Sequence, residues 1–106
     1  MVSFEEFKKL EIKVAKVLEV KDHPQADKLY ILLIDVGSKK KQIVAGIKTY
    51  YKPSDLLGRQ IILVDNLEPA VIRGVESQGM LLACQDDKGI SILQPDREVK
   101  VGTIVK

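Results

Sequence analysis

Short runs of Val, Ile and Leu, separated by turn residues, recur along the chain and predict strands rather than helices. Ile12 to Val20 (IKVAKVLEV) begins by alternating, with Ile12 and Val14 on one face. Lys16 then falls where an apolar residue is due, while Val17, Leu18 and Val20 continue the run. A phase break in a long first strand predicts a bulge or strong bend, the device by which small closed barrels turn corners. Leu29 to Val36 (LYILLIDV) is nearly all apolar and is expected to be buried on both faces. Gly37-Ser38 marks a turn with Lys39, Lys40 and Lys41 at its tip, and Gln42 to Ile47 returns as the partner strand. Further strands are predicted over Arg59 to Asp65, Met80 to Gln85, Ile90 to Leu93 and, at the end, Val99 to Val105.

Two short helical segments interrupt this pattern. Ser3 can cap a helix beginning at Phe4, with Glu6 placed as in a capping box. Phe4, Phe7 and Leu10 fall on one face and are expected to dock on the barrel. Pro53-Ser54-Asp55-Leu56-Leu57-Gly58 reads as one helical turn, with proline early and glycine just past the end. Six or seven strands with a helical turn between the third and fourth suit an all-β chain. The expected architecture is a single domain over residues 1–106, a five-stranded Greek-key barrel of the oligonucleotide-binding (OB) type with a short N-terminal helix and C-terminal additions. An SH3-like barrel or a small sandwich fits the same pattern.

Composition narrows the function more than the fold. Aromatic residues are 5% of the chain and Trp is absent, so the core must be aliphatic and a base-stacking platform has few rings to use. Net charge is only +2, but it is unevenly spread. Residues 37–64 carry Lys39, Lys40, Lys41, Lys48, Lys52 and Arg59 against Asp55 alone. A basic middle third suits a polyanion, and suits equally a solvated loop. Cys84 is the one cysteine, so no disulfide forms within the chain, and it reads as a small buried hydrophobe. The N-terminus lacks the features of a signal peptide and no apolar run reaches the length of a membrane span, so a cytoplasmic protein without membrane contact is expected. A single histidine, no glycine-rich phosphate loop and no nucleophile–base pair argue against an enzyme, a metal site or a cofactor.

Three stretches are more specific. They are His23-Pro24-Gln25-Ala26-Asp27-Lys28-Leu29-Tyr30, then Tyr51 to Gly58, then Asn66-Leu67-Glu68-Pro69 followed by Arg73-Gly74-Val75-Glu76-Ser77-Gln78-Gly79-Met80. In order and spacing they resemble the tRNA-binding domain appended to many methionyl-tRNA synthetases, which also occurs free-standing and in eukaryotic synthetase-complex cofactors. The resemblance runs from Phe4 to Val105. It implies an OB fold, tRNA binding without catalysis, association with methionyl-tRNA synthetase, and pairing of two copies, to which Val99 to Val105 could contribute apolar residues. His23-Pro24 by itself is simply a turn. Lys28 enters a strand at its loop end and is a candidate phosphate contact. Asn66 could read a base edge, Arg73 could hold a phosphate, Ser77 offers a hydroxyl, and Met80 offers an apolar surface for a base. Lys39, Lys40, Lys41 and Lys48 complete the candidate RNA-binding set. The sequence departs from the family at Ala15, where many members carry glycine, and at Val71, where many are basic; Lys48 could compensate. Export-chaperone-like relatives usually lack the HPxADKLY and SxGM stretches. The alternative reading is a protein-interaction or export-chaperone-like module on the same barrel.

Overall fold

A computed structural model describes all 106 residues. The chain is built on a curled sheet in the order β3-β2-β1-β4-β7. Its strands are β1 (Ile12–Asp22), β2 (Tyr30–Asp35), β3 (Lys40–Ala45), β4 (Gln60–Val64) and β7 (Met80–Leu81), all antiparallel to their neighbours. Two hairpins stand off this sheet: β5 (Ala70–Ile72) with β6 (Val75–Ser77), and β8 (Ala83–Asp86) with β9 (Gly89–Ile92). A last strand, β10 (Ile104–Val105), pairs with the start of β1. The helical turns are α1 (Phe4–Phe7) and α2 (Pro53–Leu56). No helix is long and apolar enough to cross a membrane.

The predicted phase break is real. The register of β1 against β2 shifts between Val17 and Glu19, so the long strand bends there. Its first half pairs with β4 and its second half with β2, which curls the sheet towards closure. The gap between β3 and β7 is bridged at Ser77 and Gln78. Gln78 N–H donates to the Gln42 carbonyl at 2.8 Å, and Gln42 N–H donates to Gln78 Oε1 at 3.0 Å. The result is an OB-like barrel. Its interior is aliphatic, with Ala15, Leu32, Ile34, Ile43, Leu56, Ile61 and Leu63 wholly enclosed.

A second, smaller cluster lies on the outer side of β1 and β4. Ile12, Val14, Ile62 and Val64 are covered there by Leu82, Val99 and Val105. The returning C-terminal segment is held by Gln60, whose amide donates to the Val99 carbonyl and accepts from Val99 N–H, imitating a strand partner. Farther on, the backbone of Gly102 lies directly on Gly37; a Cβ built on Gly37 would stand 2.8 Å from the Gly102 Cα.

Several expectations from the sequence need correction. Strand β2 is not buried on both faces: Tyr30, Leu32 and Ile34 point inward while Ile31 and Leu33 are half-exposed, the ordinary alternation of a barrel strand. Lys40 and Lys41 belong to β3, so only Lys39 is at the turn. The Met80 to Gln85 run divides at Leu82, whose N–H donates to Ile62 in the barrel while its carbonyl accepts from Leu93 outside it. Cys84 therefore sits on the projecting hairpin, exposed. The β5–β6 hairpin was not foreseen, and of the predicted final strand only Ile104 and Val105 pair. Helix α1 buries none of its residues. One turn cannot lay three side chains along a face, and Phe4 is instead capped by the Lys8 ammonium, 5.2 Å from its ring centre.

Candidate nucleic-acid interface

The turn of the β5–β6 hairpin is made by Arg73 and Gly74, with φ of +51° and +87°. Positive φ at both central residues is the requirement of a type I′ turn, whose twist matches the flanking strands. Arg73 is the one non-glycine residue of the chain in that region. Its guanidinium donates to the Gln25 carbonyl at 3.1 Å, which brings the hairpin against the β1–β2 loop. A cleft of about 390 Å³ opens between them, lined by Gln25 to Leu29 and Arg73. Lys28 is exposed on its wall, and Lys48 N–H approaches the Lys28 carbonyl from the segment after β3. Lys48 itself pairs with Asp22 at 3.1 Å and lies over the Tyr30 ring.

Lys39 and Lys40 are exposed at the other end of the β2–β3 hairpin, since Lys40 is opposite Asp35 and Ala45 opposite Tyr30. At the rise of an extended strand this separates Lys40 from the Lys28 end by roughly 17 Å. The structure thus brings Lys28 and Arg73 to one cleft, with Lys48 on the neighbouring segment, and sets Lys39 and Lys40 apart from them.

Three predicted contact residues are occupied within the chain. The Ser77 hydroxyl is buried; it accepts from Val44 N–H at 3.0 Å and donates to the Gly79 carbonyl at 3.0 Å. Asn66 accepts from Glu11 N–H at 2.8 Å and donates to the Lys9 carbonyl at 2.7 Å, fastening α1 to the end of β4. Lys41 turns inward to Asp65. Its ammonium lies 2.7 Å from Asp65 Oδ1 and donates to the Asp65 carbonyl at 2.9 Å, while Lys13 meets Oδ2 at 2.9 Å. The Oδ1 approach is a charge contact rather than an aligned hydrogen bond. Burial drives the Asp65 carboxyl upward, but the two ammonium groups outweigh it and hold it below its ordinary range. The Lys13 ammonium is raised, chiefly by its hydrogen bond to Asp65. Ser77→Ala should therefore cost stability, about 1–2 kcal/mol by thermal melting, because it strands a buried Val44 N–H; its effect on ligand affinity should be the smaller one.

Met80 is half-exposed, and Gly79 before it has φ +149°, with the Val64 carbonyl 3.1 Å from where a Cβ would be. Met80 borders an apolar hollow of about 270 Å³ with Val44, Ile47, Leu81 and Ile90. Beside Ile90, the exposed ring of Tyr50 rests on Gly89, where a Cβ would push the ring aside. Sequence reading missed Tyr50 because nothing in its neighbours marks it as exposed. It also missed His23, whose Nδ1 accepts from Gln25 N–H at 3.0 Å while Nε2 lies 3.1 Å from the Ile72 carbonyl. Only the fold brings Ile72 beside it.

Known proteins agree with this geometry. The family model of the tRNA binding domain matches residues 12–104. The methionine–tRNA ligase of Pyrococcus horikoshii is 55% identical over 105 residues, and that of Nanoarchaeum equitans 44% identical over 106. The chain spans 14% of the length of either ligase, while 99% and 100% of the chain are covered. Among solved structures, a MetRS-related protein of Pyrococcus horikoshii superposes with a TM-score of 0.92 at 34% identity, covering 100% of this chain and 98% of that one. The CsaA chaperone protein of Picrophilus torridus superposes at 0.91 with 30% identity and full coverage of both chains. Segments of ligases in sequence, and a MetRS-related protein and a chaperone protein in structure, are thus similar to one and the same barrel, and the chain belongs to the tRNA-binding domain family.

Proposed function

We propose that this chain binds tRNA without catalysis, reading backbone and shape, either appended to or associated with a methionyl-tRNA synthetase or as a separate tRNA-binding protein. The observation that carries the reading is the pattern of unpaired cations on one family-matched barrel. Lys28 and Arg73 flank a cleft at one end of the β2–β3 hairpin, and Lys39 and Lys40 stand at the other. Cations spread over such a distance suit a long polyanion better than a small ligand. Lys48 adds to the first group when it leaves Asp22. Met80 and Tyr50 supply apolar surface for an unstacked base. Asn66, Ser77 and Lys41 serve by holding the scaffold. A role beside the translation apparatus supports a cytoplasmic setting.

The four cations of this pattern, Lys28, Lys39, Lys40 and Arg73, imply a salt response of definite size. If each neutralises one phosphate, log affinity should fall against log salt with a slope of about 3 to 4. Lys39→Ala and Lys40→Ala should each reduce that slope by about one. Filter binding over a salt series measures this, and a flat response would sink the reading. Unlabelled tRNA should displace labelled tRNA, whereas an equally acidic protein should not. Displacement by the protein would favour the protein-interaction reading, which the CsaA likeness keeps in view.

Two copies are expected to pair. Phe4, Phe7 and Leu10 are exposed on and just after α1, and Ile104 is exposed on β10, which meets β1 at the residue after Glu11. These exposed apolar side chains near the start of β1 are what a second copy would cover. Pairing would set two cationic surfaces side by side and raise avidity for one tRNA. Sedimentation equilibrium at micromolar concentration should give twice the 11.8 kDa chain mass; a monomer there would refute the pairing.

A further inference from the structure

The loop between β1 and β2 and the tip of the β5–β6 hairpin are far apart in sequence and share no strand pairing. Two side chains join them. One is Arg73, reaching Gln25 from the exposed side. The other is His23, only 5% exposed, reaching from inside. Its ring makes two contacts in different directions. Nδ1 takes the Gln25 N–H and so carries no proton of its own; Nε2 must then be the protonated nitrogen and donates to the Ile72 carbonyl. One bond shapes the loop that ends in Lys28, and the other fixes the residue preceding Arg73. The cleft between Lys28 and Arg73 is therefore as wide as this imidazole allows. Asp27 also lines it, leaving a net single positive charge, suited to one phosphodiester.

We propose that His23 is a positioning residue for a single-phosphodiester subsite between Lys28 and Arg73, with its neutral imidazole latching the two walls at the separation one phosphate bridges. This rests on the tRNA-binding reading above. Without the Nε2 bond, only the exposed Arg73–Gln25 bond still ties the hairpin tip to the Lys28 loop, and a phosphate that draws Arg73 off Gln25 must order each cation separately.

The test uses His23→Asn on the full chain. An asparagine before a turn accepts the N–H two residues on, so it keeps the Gln25 bond and the loop, but it is too short to reach Ile72. It removes the latch and spares the local fold. Measured against tRNA, His23→Asn should weaken binding about tenfold and lower the salt slope by about one, the signature of one lost phosphate contact. Adding Lys28→Ala to it should cost much less than Lys28→Ala costs in the wild type. Full wild-type affinity and slope in His23→Asn, or strictly additive losses, would overturn the proposal. If the variant melts below the assay temperature, nitrogen-15 spectra of the wild-type imidazole decide. The Nε2–H tautomer should be seen, and its signals should move when tRNA is added although the ring is buried; an Nδ1–H tautomer or unmoved signals would overturn it. Failure of the wild type to bind tRNA would strike the broader reading, whereas binding with His23 silent would strike the latch alone.

Discussion

Replacing Asp65 with asparagine should lower the stability of the fold by about 3 kcal/mol, the lower end of the cost of removing one member of a buried ion pair. Asp65 is the one carboxylate between Lys13 on β1 and Lys41 on β3, whose side chains retain 17% and 14% exposure. Asparagine fills the same space but leaves two enclosed ammonium groups facing a neutral amide. The pH dependence carries the sign. The Asp65 carboxyl lies below its ordinary value of 3.8, so its contribution is present above that pH and is lost as pH falls through the lowered value. Lys13 is raised above 10.5, so its part is present below that pH and is lost as pH rises through the raised value. Urea unfolding of both proteins should show a constant gap from about pH 4 to about pH 10 that narrows in stronger acid. Equal midpoints at neutral pH would show that the triad contributes nothing.

Arg73→Asn should move stability and function in opposite directions. Asparagine tolerates positive φ and forms, with Gly74, the favoured dipeptide of a type I′ turn, so relief of the arginine backbone should outweigh the lost exposed bond to Gln25 and raise stability by about 0.5–1 kcal/mol. The same change removes a guanidinium from the cleft beside Lys28 and should weaken tRNA binding by about 1–3 kcal/mol. Arg73→Ala should lose affinity similarly without the gain in melting temperature. An arginine kept where asparagine would be more stable is the mark of a residue held for contact. If Arg73→Asn melts lower than wild type, or binds tRNA equally well, the residue is not held for that reason.

The barrel could be read from the sequence because short Val, Ile and Leu runs recur between turn residues, and the phase break at Lys16 lay next to the true bulge. The misreadings cluster where short-range pattern and three-dimensional placement part. Leu29 to Val36 is apolar at nearly every position, so the pattern could not say that Ile31 and Leu33 face outward. Met80 to Cys84 is a continuous apolar run that the fold divides between barrel and projecting hairpin. In the candidate site, the sequence marked the exposed cations more readily than it separated free polar residues from anchoring ones. Asn66 makes two bonds, and Ser77 one, to residues more than thirty positions away. No local signal distinguishes such an anchor from a free contact group. His23 was read as a turn for the same reason, since Ile72 lies 49 residues off.

Strand β1 is the hub of the sheet, with partners as near as Tyr30 and as distant as Val105. The β1–β2–β3 meander can form early, because its loops are short and cost little chain entropy to close. The β4 and β10 pairings must wait for much longer loops to close. Folding should accordingly fall in the millisecond-to-second range of small barrels rather than the microseconds of helical bundles. Meanwhile the apolar edge of β1 stays open, so the slow step of refolding is also the one during which two unfinished chains can pair wrongly.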